Sequence, residues 1–241
     1  MKVAIKGLGR ESGLPLAPVA VALLAVALVA VAAPVAANGQ APSAADPTFQ
    51  LDFSNPGLSP SQWTLTLRPD GTGHFRSQAG KPTDDSKQGI VPPAVDRDIQ
   101  VNAAYAGRVF AAAERHRRFN EACESHLKVA FQGWKTLTYT GPQGKGSCTF
   151  NYSKDKEIQE LGDSLEAVVE TILEGARMEL LLQHDRLGLD AEMEFLVQAV
   201  GDGRAQQVCV IRETLERLAQ DDTVLERVRK RARMLLEQGA T

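Results

Sequence analysis

The chain of 241 residues contains few of the residues on which common catalytic and metal-binding motifs depend. It has three cysteines and four histidines, and no C-x-x-C, H-E-x-x-H or G-x-S-x-G pattern occurs in it. Their absence excludes a thioredoxin-like redox motif, a zinc-peptidase helix and an α/β-hydrolase nucleophile in their usual sequence forms. We therefore predict no catalytic, metal-ligating or cofactor-binding residue, although enzymes can lack short motifs.

An excess of positive charge is also missing. The formal net charge is −3, with 24% charged and 43% apolar residues. These values are typical of a globular protein and give no global basic field, so nucleic acid is not a predicted partner.

Charge of either sign is absent from residues 12–45. Residues 19–33 are an unbroken run of Val, Ala and Leu, and small residues end at Ala37. Three basic residues come before the run: Lys2, Lys6 and Arg10. This pattern predicts a secretory signal peptide over 1–37, followed by a flexible leader over 38–47.

The alternative is a membrane anchor that is not cleaved. Residues 14–37 are long enough to cross a bilayer as a helix. Prolines interrupt this stretch near both ends, and no charged residue follows it closely. Membrane contact is expected only if this segment is retained, and otherwise the protein is periplasmic or secreted.

Residues 48–155 show mainly the two-residue periodicity of β-strands. Phe49, Leu51 and Phe53 alternate with polar residues, and Pro69-Asp70-Gly71 separates two further alternating runs as a hairpin turn would. The predicted elements are strands over 49–53, 63–68, 73–75, 127–131, 135–140 and 148–152, a loop over 78–95, and a helix over 102–118.

Residues 156–241 show helical periodicity, and no proline follows Pro142. Asp163 with Glu166 resembles a capping box that would begin the first long helix, and Gly188 would end it. Further helices are predicted from Asp190, over 208–218, and from Asp221 or Asp222 to 236. The fold class is therefore α+β: an antiparallel β-hairpin or meander half with one or two packed helices, then an all-α helical-hairpin tail.

The three cysteines leave several interpretations open. A bridge between Cys123 and Cys148 would close a loop of about 25 residues in an oxidising compartment. Cys209 would then be a free thiol buried on an apolar helix face. His116, Cys123 and His126 could instead suggest a metal site, but their spacing matches no standard zinc pattern.

Other polar features have simple structural interpretations. Residues 141–147 are predicted to be a hairpin loop, because the phosphate-loop frame is absent. Asn151-Tyr152-Ser153 fits a glycosylation acceptor in a host that has the machinery. The paired acids are interpreted as capping or solvated residues: Asp84-Asp85, Asp96 with Asp98, and Asp221-Asp222.

Basic residues crowd the last predicted helix. They are either its solvated face or a docking patch for an acidic partner. As candidate partner-binding residues we take Arg227, Arg229, Lys230, Arg231 and Arg233.

Two resemblances concern larger segments. Leu218-Ala219-Gln220-Asp221-Asp222, followed by Arg227-Val228-Arg229 and Leu235-Leu236, is similar to one HEAT-type repeat over about residues 204–238. This resemblance implies protein binding by a helical surface. The segments 134–141 and 184–190 resemble exported bacterial proteins that combine a small β-hairpin half with a helical tail, and no activity comes with that likeness.

Together these features predict an exported cell-envelope protein that is not an enzyme. It is expected to bind another envelope protein through its C-terminal helices. The alternative is an envelope hydrolase whose site is scattered between the two halves of the chain.

If the N-terminal segment is a cleaved signal, the mature protein recovered from its native host begins at Asn38. N-terminal sequencing measures this directly. A chain that still begins at Met1 would contradict cleavage.

Overall fold

A computed structural model describes residues 46–81, 91 and 93–239. The predicted signal or anchor over 1–37, most of the leader, and Asp84-Asp85 lie outside these residues. Within the described ranges, no helix combines the length and the apolar character needed to cross a membrane.

Six strands form one sheet in which every neighbouring pair is antiparallel. They are β1 (Thr48–Ser54), β2 (Gln62–Leu67), β3 (Thr72–Ser77), β4 (Asp96–Gln100), β5 (Trp134–Gly141) and β6 (Gly144–Phe150). Their order across the sheet is β4-β3-β2-β1-β5-β6. Strands β4 and β6 are therefore the two edges.

Five α-helices complete the described fold. They are α1 (Ala103–Arg115), α2 (Lys156–His184), α3 (Leu189–Gly201), α4 (Arg212–Gln220) and α5 (Glu226–Gln238). Short 3-10 turns cover Arg117–Phe119 and Val208–Ile211. The predicted α+β class with a helical C-terminal tail is confirmed.

The alternation of the strands places their apolar side chains on one face of the sheet. Phe49, Leu51 and Phe53 of β1 are buried there with residues of the neighbouring strands. Helices α1 and α2 cover this face, since Val109, Leu165 and other apolar residues of these helices belong to the same buried cluster. Burial of such side chains stabilises the fold by about 1.5 to 3 kcal/mol for each.

Helix α2 approaches the sheet closely at Gly162. A Cβ atom at this position would lie 3.0 Å from Cζ of Phe150 and 3.1 Å from Cδ of Lys135. Lys135 is fully buried on the inner face, where its Nζ lies 2.9 Å from Oε1 of Glu166 and 5.7 Å from the centroid of the Phe150 ring. The buried ammonium thus has an anionic and an aromatic neighbour.

A second apolar cluster lies among the helices. Met178, Leu181 and Leu182 of α2 pack there with residues of α3, α4 and α5. Helix α2 therefore contributes side chains from Ile158 to Ala176 to the sheet cluster and those of its last turns to the helical cluster. The described residues all belong to one compact unit, and the separation into domains over 48–155 and 156–241 stays a prediction.

One predicted strand is wrong, and one observed strand has no predicted counterpart. Residues 127–131 form no strand. Every residue from 126 to 132 is exposed, so neither alternating set of side chains is buried. The turn at Arg117–Phe119 packs over β5 and β6 instead, where Phe119 joins the buried cluster of the sheet. Conversely, the loop predicted over 78–95 is followed by β4, a short charged strand with little apolar periodicity.

Several predicted helix ends also differ. Helix α2 begins at Lys156, because the side chain of Asp155 accepts hydrogen bonds from the N–H groups of Glu157 and Ile158. Asp163 lies inside that helix. Helix α3 begins at Leu189, so Asp190 lies in its first turn and does not cap it.

The beginning of α5 was also misplaced. It begins at Glu226, so neither Asp221 nor Asp222 caps it. Oδ1 of Asp221 instead accepts a hydrogen bond from the N–H of Thr223 in the preceding turn.

The structure joins Cys123 to Cys148 by a disulfide, with Cα atoms 5.7 Å apart. Both cysteines are buried. Cys209 is free and half-buried, not fully buried as predicted, because it lies in the 3-10 turn before α4 with its Sγ 3.5 Å from the carbonyl oxygen of Gln100.

We expect thiol titration of the denatured, unreduced protein to detect one thiol, since Cys123 and Cys148 are bonded and Cys209 is not. The Cys209→Ser variant should then give none. Three thiols in the denatured, unreduced protein without substitutions would contradict the bridge. Replacing both bridged cysteines by alanine should lower the free energy of unfolding by about 3 kcal/mol, measured by denaturant titration.

Candidate binding surface

The outer face of the sheet, opposite the helices, consists largely of polar side chains. Thr136 and Thr149 form a hydroxyl pair at 2.9 Å across β5 and β6, and Thr138 and Ser147 form another at 2.9 Å. Threonine suits a solvent-facing strand position, because it is β-branched and polar. This face can therefore remain in water or bind a polar ligand.

A cleft of about 400 Å³ lies on this face over β1, β2, β3 and β5. Asp52 lies in it and accepts hydrogen bonds of 2.7 Å from Thr64 Oγ1 and from Gln50 Nε2. The indole of Trp134 borders the cleft. Because the carboxylate of Asp52 is already hydrogen bonded within the fold, the cleft offers no isolated acid for catalysis.

The irregular stretch before β5, together with its first residue Trp134, covers residues 124–134, and we call it the apolar segment. Asn151 anchors its backbone: the side-chain oxygen accepts from the N–H of Gln132 at 2.7 Å, and the amide donates to the carbonyl of Ala130 at 3.3 Å. Asn55 donates to the carbonyl of Gln132 at 2.9 Å. Both asparagines are largely buried, so Asn151 is not presented as a glycosylation acceptor.

Glu124 anchors the other end of the apolar segment. Its carboxylate accepts from the N–H groups of Asn151 at 2.6 Å and of His126 at 3.0 Å. Burial raises the pKa of Glu124, but these backbone hydrogen bonds outweigh the burial and lower it overall. The disulfide of the adjacent Cys123 holds the chain at the same point. The segment is therefore fixed at both ends.

The side chains that this segment displays are apolar. Seven large apolar side chains are exposed among the described residues, and four of them lie here. The exposed fractions are 50% for Leu127, 42% for Val129, 48% for Phe131 and 45% for Trp134. The Phe131 and Trp134 rings meet edge to face with centroids 5.8 Å apart. A local cluster of this kind is typical of an interaction site.

The prediction for residues 127–131 is a strand, because Leu127, Val129 and Phe131 alternate with polar or small residues. Their alternation is real, and it predicts a strand with one buried face. No partner strand is present beside residues 127–131 in the described part of the chain, and so the apolar side chains remain in solvent. Gly133 is the residue that distinguishes a buried strand from an exposed irregular segment. Its φ of +129° suits glycine and interrupts strand geometry.

The predicted partner-binding residues lie on α5, and four of the five make ion pairs within the fold. Arg227 and Arg231 lie 2.6 and 2.8 Å from Oδ1 of Asp190 on α3. The hydrogen bond from Arg227 lowers the pKa of Asp190.

The other basic residues of α5 are less uniform. Arg229 and Arg233 pair with Glu226 at 2.5 and 2.7 Å, while Lys230 is exposed. The acids neutralise much of the positive charge on this helix. A partner-binding role for the five basic residues stays a prediction, as does the HEAT-type resemblance of the packed pair α4 and α5.

The side chain of His116 is held by carboxylates and not by Cys123. Its Nδ1 lies 2.9 Å from Oε1 of Glu121 and its Nε2 lies 3.0 Å from Oε2 of Glu157. Burial lowers the pKa of His116, but the two glutamates outweigh the burial and raise it. Within the described ranges, no three His, Cys, Asp or Glu side chains are grouped to hold a metal ion.

A hydrolase site between the sheet and the helices would lie in the groove beside β4. This groove has a volume of about 1180 Å³. Arg97 and Glu179 face it and form a two-point ion pair at 3.3 and 2.7 Å. Nearby, both ring nitrogens of His74 lie within 3.0 Å of a carboxylate, those of Asp96 and Asp98. Among the described groove residues, the hydroxyl of Thr214 donates to Oε1 of Glu179 at 2.5 Å, and the same carboxylate is already paired with Arg97.

Two glutamates are buried together between α2 and α3. Glu174 lies beside Glu192, and the Nη1 atom of Arg177 lies 3.7 Å from the first and 3.2 Å from the second. Burial, together with the negative charge of Glu192, raises the pKa of Glu174 far above the ordinary value for glutamate. One cation therefore serves two carboxyl groups, and Glu174 retains its proton.

No protein-family model and no curated protein matches this chain.

Because the pKa of Glu174 is raised in the fold, its contribution to stability is complete at low pH and is lost as the pH rises above about 4.3. The Glu174→Gln variant lacks this titration. We expect its free energy of unfolding to exceed that of the native protein by a margin that widens between pH 5 and pH 8, by up to about 1.4 kcal/mol per pH unit.

Denaturant titration at several pH values measures this margin. Glu160→Gln is the matched control, because Glu160 lies on the same helix with its side chain exposed. A constant difference between native and Glu174→Gln proteins across this range would show that Glu174 ionises normally.

Proposed function

We propose that this protein is exported to the cell envelope and binds another envelope protein without catalysing a reaction. The observation that carries the proposal is the exposed cluster of Leu127, Val129, Phe131 and Trp134 on the apolar segment. The uncharged N-terminal run supports export, because it has the order of basic, apolar and small residues of a signal peptide.

The anchoring of the apolar segment supports a role in binding a partner, as opposed to an exposed loop without a partner. Its backbone is held by Asn55, Glu124 and Asn151 and by the adjacent disulfide. A segment fixed before binding loses little conformational entropy when a partner covers it. Aromatic side chains such as Phe131 and Trp134 are also the types enriched at the centres of protein interfaces.

The partner surface that fits this cluster is an apolar depression. Covering a Leu, Val or Phe side chain removes apolar surface from water and contributes about 0.8 to 1.5 kcal/mol when the side chain is half-exposed at the start. The nearby Lys128 and His126 are exposed, and they would lie at the rim of such an interface.

The test is photo-crosslinking in the native host from position 131, with a photoreactive residue in place of Phe131. We expect one discrete protein adduct. Adding Leu127→Ser or Val129→Ser should reduce its yield about tenfold, because each removes roughly 1.4 kcal/mol of apolar contact.

Position 187 provides the matched control. Leu187 is 79% exposed but lies alone in the turn after α2. An equal adduct from position 187, an adduct with lipid in place of protein, or no effect of the serine variants would contradict the proposal.

A further inference from the structure

The edge strand β4 carries unused backbone hydrogen-bonding capacity. Next to β4, the N–H of Ser77 donates to the carbonyl of Val95, and the N–H of Val101 donates to the carbonyl of Gly71. The antiparallel register thus makes the odd-numbered residues of β4 the ones that bond to β3. The N–H and C=O groups of Asp96, Asp98 and Gln100 point away from β3.

These groups face the groove of about 1180 Å³ between β4 and the helical part of the fold. Its opposite wall includes Val210, Ile211 and Thr214 from the turn before α4 and from α4 itself. At one end of the groove, Cys209 contacts the carbonyl of Gln100. The groove therefore has a strand edge on one side, helical side chains on the other and a closed end.

The geometry points to this groove as a site that binds an extended peptide as a seventh strand, antiparallel to β4, with basic residues at alternate positions. Strand addition of this kind gains affinity from main-chain hydrogen bonds and specificity from alternate side chains. Six extended residues span about 20 Å, which slightly exceeds the length of β4.

Charge determines which peptide fits. The side chains of Asp96 and Asp98 lie on the outer face on either side of His74. Asp96 also pairs with Arg76 at 3.2 Å, whereas Asp98 is almost fully exposed. The residue directly opposite each of them in an added strand has its side chain on the same face. A lysine or arginine is favoured there, and an acidic residue is repelled.

The opposite face of the added strand has different neighbours. Its side chains would point toward Ile99 and Ile211, which are buried and apolar, and toward the Arg97–Glu179 pair, which is already neutralised. Apolar residues fit these positions. The same aspartates discourage pairing with an apolar or acidic edge from another molecule, as charges on edge strands generally do.

The probe is a fluorescein-labelled hexapeptide of alternating lysine and valine, titrated onto the full chain and followed by fluorescence anisotropy. We expect saturable binding that is at least about tenfold tighter than binding of a peptide with three lysines followed by three valines. Equal binding of the two peptides would show that charge alone attracts them and would overturn the proposal.

Backbone methylation distinguishes strand addition from other modes. In an antiparallel added strand, the lysine N–H groups face β4 and the valine N–H groups face away. Methylation of the lysine amides should weaken binding at least tenfold, and methylation of the valine amides should change it little. Equal effects of the two modifications would overturn the proposal. This test changes only the peptide and leaves the protein unaltered.

A pair of variants tests the same edge from the protein side. Asp98→Pro removes an N–H that points into the groove and leaves the bonds to β3 intact, so we expect at least a tenfold loss of affinity. Asp98→Asn retains the N–H and removes the charge, and about a threefold loss is expected. A dimer of the unliganded chain that Asp98→Pro abolishes would identify a second copy, and not a peptide, as the occupant.

Discussion

The fold depends on covering the apolar face of the sheet with helix α2. A six-stranded sheet with one apolar face is stable only if another layer buries that face. Helix α2 has 29 residues and is about 44 Å long. It is therefore longer than any of the strands that it covers. Its last turns therefore extend beyond the sheet cluster and supply Met178 and Leu181 to the helical cluster. One helix thus organises both apolar clusters.

This long buried helix also places charged groups in apolar surroundings. Glu166 compensates the buried ammonium of Lys135, whereas Glu174 and Glu192 share one arginine and avoid a second buried negative charge by retention of a proton. Both arrangements follow from the general cost of burying an unpaired charge. They connect the packing of α2 to the pH dependence of stability.

Because the helices cover only one face, the other face and the β4 edge of the sheet are available for binding. The apolar segment lies near β5 and β6, and the open groove lies beside β4 at the opposite edge. The two candidate surfaces differ in chemistry: the first presents apolar side chains, and the second presents main-chain groups beside aspartates. They can therefore bind different partners.

The amino-acid sequence by itself determined the α+β class, the strands around Phe49 and Leu65 and the helical tail, because these follow from local periodicity. The sequence offered the Cys123–Cys148 bridge as one of several interpretations, and the tertiary structure selected it. Only the tertiary structure decided that residues 127–131 are exposed, that β4 is an edge, and that the arginines of α5 pair with Asp190 and Glu226. The reason is physical: alternation shows that a segment has two different faces, but whether a partner strand, a helix or solvent covers each face depends on residues far away in the chain.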